Sequence, residues 1–182
     1  MNDSFRIAFV SGKLGDVDGV SLEVDKWIEV LHAAGHEVFT IAGKYPNPVA
    51  GVDPSRQITV DKIRFDSQEQ RYYEKLVFPH LSRRPPYLPE TRRQAILDEL
   101  ESEGKEVAGI LLEHVQEHDI DVIIAENTNA MPMSLLGGLG MHRLATESRI
   151  ATIFHHHDFW WERSRFSNNH IEGLLNKIMP PT

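Results

Sequence analysis

Close to the start of the chain stands Phe5-Arg-Ile-Ala-Phe-Val-Ser11, an almost continuous apolar run, and an amphipathic helix pattern follows it closely. A run that does not alternate polar with apolar reads as a strand buried on both faces. Such strands belong to parallel sheets covered by helices on each side. The pattern recurs: Glu37–Ala42, Ile120–Ala125 and Ile150–Phe154 are further short apolar runs, and helix-like segments separate them. The first of those segments spans about Gly19 to Ala34. Val20, Val24, Trp27, Ile28 and Leu31 make one apolar face there, and Gly35 suits the position that stops a helix. A β-loop-α-β opening with later strands of the same kind gives the fold class α/β, a Rossmann-like three-layer domain with a mainly parallel sheet.

The middle of the chain is read more coarsely. Lys44–Pro54 is a proline-punctuated loop, and Ile58–Phe65 is expected to hold one or two short strands. Ser67-Gln-Glu-Gln70 has the form of a capping box before a helix ending near Pro79, and Thr91-Arg-Arg-Gln94 has the form of a second one. The second opens a long helix to about His118, with Ile96, Leu100, Val107, Leu111 and Val115 inward. Asp98, Glu99, Glu101, Glu103 and Glu106 read as its solvated face. Arg83-Arg-Pro-Pro-Tyr87 is a basic connector. Asn129 is expected to cap a helix reaching about Thr146, with Gly137, Gly138 and Gly140 permitting close packing. Asn168 or Asn169 starts a last short helix, which Pro180-Pro181 stops.

Composition narrows the class of function. The chain has no cysteine, so disulfides and thiolate metal sites are excluded. A net charge of −8 argues against general nucleic-acid binding. No apolar run is long enough for a membrane span, and the start of the chain lacks a signal-peptide pattern, so a cytoplasmic location is expected.

Three strand ends carry polar clusters: Gly12-Lys-Leu-Gly-Asp-Val-Asp-Gly19, Glu126-Asn-Thr-Asn129, and His155-His-His-Asp158 running on to Arg163. Ligands in open α/β sheets bind at the carboxyl ends of strands, so parallel strands bring all three to one edge. The first loop is neither G-x-G-x-x-G nor a Walker A sequence. It is a flexible glycine loop feeding a helix N-terminus, where N–H groups favour an anion, and Asp16 and Asp18 face solvent or cap the helix. Trp160 and Trp161 offer either a flat apolar platform for a ligand or packing against the sheet. Glu162 and Arg163 either pair with each other or leave Arg163 to touch a phosphate.

At this point the chain resembles the family 4 retaining glycosyltransferases. The residues that carry the resemblance are Asp18-Gly-Val-Ser-Leu-Glu-Val24, Ala33-Ala-Gly-His-Glu-Val38, Asp121-Val-Ile-Ile-Ala-Glu-Asn-Thr128 and Ile153-Phe-His-His-His-Asp-Phe-Trp-Trp-Glu-Arg163. They run in order along nearly the whole chain and match the family's N-terminal half. The resemblance implies a GT-B architecture in which residues 1–182 form the N-terminal, acceptor-side domain and the C-terminal nucleotide-sugar domain is absent. It implies a nucleotide-sugar donor, a sugar or other small-molecule acceptor, and no metal or other cofactor. Gly19, with Gly15 second, matches the glycine that approaches the donor diphosphate. His155 matches the catalytic histidine, with His156 and His157 adjacent. Glu126, Asn127, His156, His157, Asp158 and Arg163 fall to acceptor binding. The chain alone is expected to be inactive. Two other readings stand beside this one: a metal-dependent hydrolase built on His155, His157 and Asp158, and a non-catalytic binding module.

Overall fold

A computed structural model describes residues 4–82 and 87–181. Of the basic connector, Arg83–Pro86 lie outside the described residues, and Tyr87 is exposed. The strands are β1 (Arg6–Ser11), β2 (Glu37–Ala42), β3 (Gln57–Thr59), β4 (Val122–Glu126) and β5 (Ala151–His155). The helices are α1 (Gly19–Ala33), α2 (Gln68–Val77), α3 (Glu90–Glu117), α4 (Leu135–Glu147), α5 (Ser164–Ser167) and α6 (Glu172–Ile178). The strands form one sheet in the order β3-β2-β1-β4-β5, and every pairing is parallel. This is the α/β three-layer class the sequence pattern predicts.

Side-chain alternation along β1 divides the core into two layers. Ala8 and Val10 belong to the larger cluster, with residues of α2, α3, α4 and α6. Phe9 belongs to the smaller cluster beneath α1, with Val24, Ile28 and Val38. All of β1 from Ile7 onward is buried, as its unbroken apolar run requires. α3 and α4 pack closely because glycine stands at their contact. A Cβ on Gly140 would lie 2.2 Å from Val107 Cγ1, and one on Gly104 would lie 3.0 Å from Leu139 Cβ.

Several local expectations are corrected. β5 is an edge strand and not a buried one: Ile153 is 55% exposed, because only β4 pairs with β5. A short apolar run carries no information about which strands will flank it. Only β3 forms within 58–65, and a 3-10 turn, Asp61–Ile63, follows it. The Ser67 hydroxyl accepts from the Gln70 amide at 3.1 Å, yet Gln70 does not reach back to close a capping box. It is buried, donates to Glu74 and to the Pro132 carbonyl, and accepts from the Leu136 amide. No side chain caps α3, which starts at Glu90 after Pro89, so Thr91 already lies inside the helix. Asn129 does not cap α4 either. It is fully buried, and its Nδ2 donates to the Gly138 and Ile178 carbonyls at 2.8 Å each, tying α4 to α6. α6 starts at Glu172, with Asn169 Oδ1 accepting from the Ile171 amide just before it.

Candidate active site at the carboxyl edge of the sheet

The chain crosses from β2 and β3 on one side of β1 to β4 and β5 on the other, so the strand order reverses between β1 and β4. Loops leaving the carboxyl ends of β1 and β4 therefore part in opposite directions and leave a crevice. A cleft of about 520 Å³ lies there. Ser11, Lys13, Asp18 and Gly19 line its β1 side; Asn127, His157, Asp158 and Arg163 line the opposite side; and Phe65, Met131 and Met133 give it apolar wall.

The β1 loop packs into the smaller core and against the 44–47 segment. Leu14 is fully buried in the smaller core, and its amide donates to the Lys44 carbonyl at 3.1 Å. Gly15 has φ +75°, a conformation open to glycine, and a Cβ there would lie 1.9 Å from the Asn47 carbonyl oxygen. Its packing thus faces the 44–54 loop, and it is not among the cleft-lining residues. Gly19 is the first residue of α1 and lines the cleft, with open space where a Cβ would be. Asp18 caps α1, its Oδ1 accepting from the Ser21 amide at 2.9 Å. Lys13 Nζ lies 2.8 Å from Asp16 Oδ2 and 2.9 Å from Asp18 Oδ2. The hydrogen bond to Asp16, with that to Asp18, raises the Lys13 ammonium above its ordinary range. Desolvation works to raise the Asp18 carboxyl, but the bonds from Ser21 and Lys13 outweigh it and hold that carboxyl low. One cation thus stands between two carboxylates at a helix N-terminus, and an anionic ligand there would have to draw Lys13 away from them.

On the other side, the parallel register sets Glu126 of β4 directly beside His155 of β5. Both side chains point to the α1 face, as does His157 two residues on. The Glu126 side chain is completely buried. His155 Nδ1 donates to its Oε2 at 2.9 Å, and His157 Nε2 donates to its Oε1 at 2.5 Å. Trp27 of α1 covers His155, the rings meeting edge to face at 6.4 Å. Asn127 holds φ +56° and links the strands by its own amide, which donates to the His155 carbonyl at 2.8 Å. His156 points to the opposite face of the sheet. It stacks on Phe154, packs near Phe159, and its Nδ1 is buried without a hydrogen-bond partner among the described residues. Burial pushes its imidazole pKa down, and the neighbouring His155 adds to that effect.

Asp158 and Arg163 form an ion pair through both Nε, at 2.9 Å, and Nη2 of the guanidinium. Glu162 is not the partner of Arg163: its Oε2 accepts from the Phe159 amide at 2.8 Å within the 3-10 turn Trp160–Glu162. Trp160 is a core residue, its Nε1 donating to the Met179 carbonyl at 3.1 Å. Trp161 is half exposed and stacks flat on Phe159 with the centroids 4.6 Å apart.

Of the residues singled out from the sequence, the cleft therefore gathers Gly19, Asn127, His157, Asp158 and Arg163. His155 and Glu126 stand immediately behind His157, while Gly15 and His156 point elsewhere. Lys13, Phe65, Met131 and Met133 were not anticipated. Lys13 stands in no phosphate-binding pattern, and a lone Phe or Met carries no local signal of a site.

Among the described residues, two groups bring three metal-ligand atoms within 4.8 Å of one another: Glu126 with His155 and His157, and His114 with Glu117 and His118. Asp158, drawn into the hydrolase reading as a ligand, is engaged by Arg163 instead, and Glu126 takes its place beside the two histidines. Within the first group the carboxylate already accepts from both rings, so an ion there would have to displace both hydrogens.

No protein-family model matches the chain. Two curated proteins are similar to it along nearly its whole length. The mannosylglucosylglycerate synthase of Thermotoga maritima is 32% identical over 178 residues, which cover 97% of this chain and 37% of that protein. The mannosylglucosylglycerate synthase of Petrotoga mobilis is 26% identical over 189 residues, covering 97% of this chain and 38% of that protein. The chain thus spans little more than a third of the length of these relatives, and both of them are sugar-transferring enzymes by name.

Proposed function

We propose that this chain is the acceptor-side half of a retaining glycosyltransferase of family 4, and that its cleft holds the acceptor sugar beside the point of transfer. The observation that carries the reading is the convergence of Lys13, Gly19, His157 and Arg163 on one cleft at the sheet's switch point, in a chain that aligns throughout with two sugar-transferring enzymes. The relatives' name identifies a product built of mannose, glucose and glycerate. On this reading the donor is a nucleotide-activated mannose, the acceptor is glucosylglycerate, and the pocket for the nucleotide belongs to a second, C-terminal domain.

The chemistry divides between the two sides of the cleft. Departure of the diphosphate builds negative charge, which the α1 N-terminus at Gly19 and a turned Lys13 would stabilise more in the transition state than in the ground state. Positive charge builds on the sugar carbon near the β5 end, where the resemblance places His155. Arg163, released from Asp158, presents a fork suited to the glycerate carboxylate. No helix among the described residues is long and apolar enough to cross a membrane.

The test is a transfer assay on this chain extended by its natural downstream sequence, supplied with GDP-mannose and glucosylglycerate. Formation of a mannosyl-glucosyl-glycerate, two sugars joined to glycerate, with the donor's anomeric configuration preserved is expected. Absence of transfer across several nucleotide-sugars and acceptors would reject the reading.

A further inference from the structure

Two imidazoles share one buried carboxylate behind the cleft. A carboxylate only accepts hydrogen bonds, so the nitrogen that faces it on each ring must carry the hydrogen. His155 meets Glu126 through Nδ1 and His157 meets it through Nε2. The two neutral rings are therefore opposite tautomers. Each keeps one bare nitrogen, Nε2 on His155 and Nδ1 on His157.

The backbone decides which bare nitrogen meets a ligand. The His157 amide donates to Asn127 Oδ1 at 3.2 Å, which draws the residue over the end of β4. His157 lines the cleft there, and its Nδ1 has no hydrogen-bond partner among the described residues. His155 lies against Trp27 and is absent from the lining. We propose that His157 is the imidazole that touches substrate, its Nδ1 accepting a hydrogen bond from a hydroxyl of a sugar bound in the cleft. Glu126 is then a positioning residue that sets this tautomer through Nε2, and His155 completes the clamp from behind. The identity of the ligand rests on the sugar-transfer reading; the tautomers rest on the geometry alone.

The arrangement makes a sharp demand on Glu126→Gln. A glutamine side chain has one acceptor oxygen and one donor NH₂ group, so it cannot accept from both rings. One histidine must turn a bare nitrogen toward the amide and move its hydrogen to the other side of the ring.

The experiment is long-range ¹H–¹⁵N correlation of the imidazoles in the ¹⁵N-labelled chain, at an alkaline pH where the rings are neutral. The wild type is expected to show His155 protonated at Nδ1 and His157 at Nε2. Glu126→Gln is expected to switch the tautomer of one of the two, with His32 and His36 unchanged. Titration with methyl α-D-glucopyranoside is expected to move the His157 Nδ1 resonance and leave His155 Nε2 in place. His157 protonated at Nδ1 in the wild type, or both tautomers unaltered by Glu126→Gln, would overturn the clamp. A sugar-dependent shift at His155 alone, or at neither ring, would overturn the assignment of His157 to substrate. The wild-type spectrum decides the tautomers even if the variant does not fold. Failure of sugar transfer by the extended chain would remove the ligand and leave the tautomers standing, so the two readings fail separately.

Discussion

Asn127 and His157 hold each other through one hydrogen bond from backbone to side chain: the His157 amide donates to Asn127 Oδ1 at 3.2 Å. Asn127 does this from φ +56°, a left-handed conformation that asparagine tolerates better than most residues. The side chain and the backbone angle can be tested apart. Asn127→Gly keeps the angle and loses the hydrogen bond, at about 0.5–1.5 kcal/mol. Asn127→Ala loses the bond and adds left-handed strain of about 1–2 kcal/mol. Chemical denaturation should therefore rank wild type above Asn127→Gly, and that variant above Asn127→Ala. An alanine variant as stable as the glycine one would mean that the loop relaxes out of this conformation.

Two helix glycines should respond to alanine with opposite signs. At Gly140 a Cβ would meet Val107 Cγ1 at 2.2 Å and Val107 Cβ at 2.7 Å, so the α3–α4 contact would have to open. Overpacking of this kind costs about 1–3 kcal/mol. Gly109, exposed on α3, has nothing within 4 Å of its added Cβ. Gly109→Ala should gain about 0.5–1 kcal/mol from helix propensity. Thermal melts of the two variants should move in opposite directions; a shared direction would contradict the packing described here.

Glu74 supplies a pH test. Burial raises its carboxyl pKa, against the opposing hydrogen bond from Gln70. A raised acid binds its proton more tightly in the folded state, so between its unfolded and folded values stability falls as pH rises. Above that window the folded chain carries an ionised carboxylate at a cost. Glu74→Gln preserves the acceptor for Gln70 and removes the charge. Its advantage over wild type should be present at neutral pH and shrink as pH falls through the raised value. An advantage that grows on acidification would mean the carboxylate is favourably held.

How much of this was legible in the sequence depends on how far apart the partners lie. β1, α1 and β2 could be read directly, because a strand buried on both faces and a helix with one apolar face each leave a local period. The carboxyl-edge location of the site followed from the parallel reading. The edge position of β5 did not follow, since Ile153 looks the same in a run of apolar residues whether or not another strand covers it. Nor did the role of Asn129, whose carbonyl partners on Gly138 and Ile178 belong to α4 and α6. The Glu126 clamp was hidden for the same reason. Glu126 and His155 were both singled out, but only the β4–β5 register sets them side by side.

Metal content follows from that clamp. Both carboxylate oxygens of Glu126 accept from imidazole N–H groups, and a divalent ion would need those nitrogens bare. Elemental analysis of the purified chain is expected to find less than stoichiometric zinc, manganese or nickel. One tightly held ion per chain, lost in a His157→Ala variant, would revive the hydrolase reading.

The proposed division of labour between this chain and a second domain is tested most directly by calorimetry on the 182-residue chain itself. Glucosylglycerate should bind, and the heat should vanish in an Arg163→Ala variant whose fold is intact by circular dichroism. GDP-mannose should bind weakly, near the millimolar level or about −4 kcal/mol, because Lys13 is engaged by Asp16 and Asp18 and the α1 N-terminus alone offers its phosphates few contacts. Micromolar binding of the nucleotide-sugar with no detectable binding of glucosylglycerate would contradict the acceptor-side assignment and place the donor site within these residues.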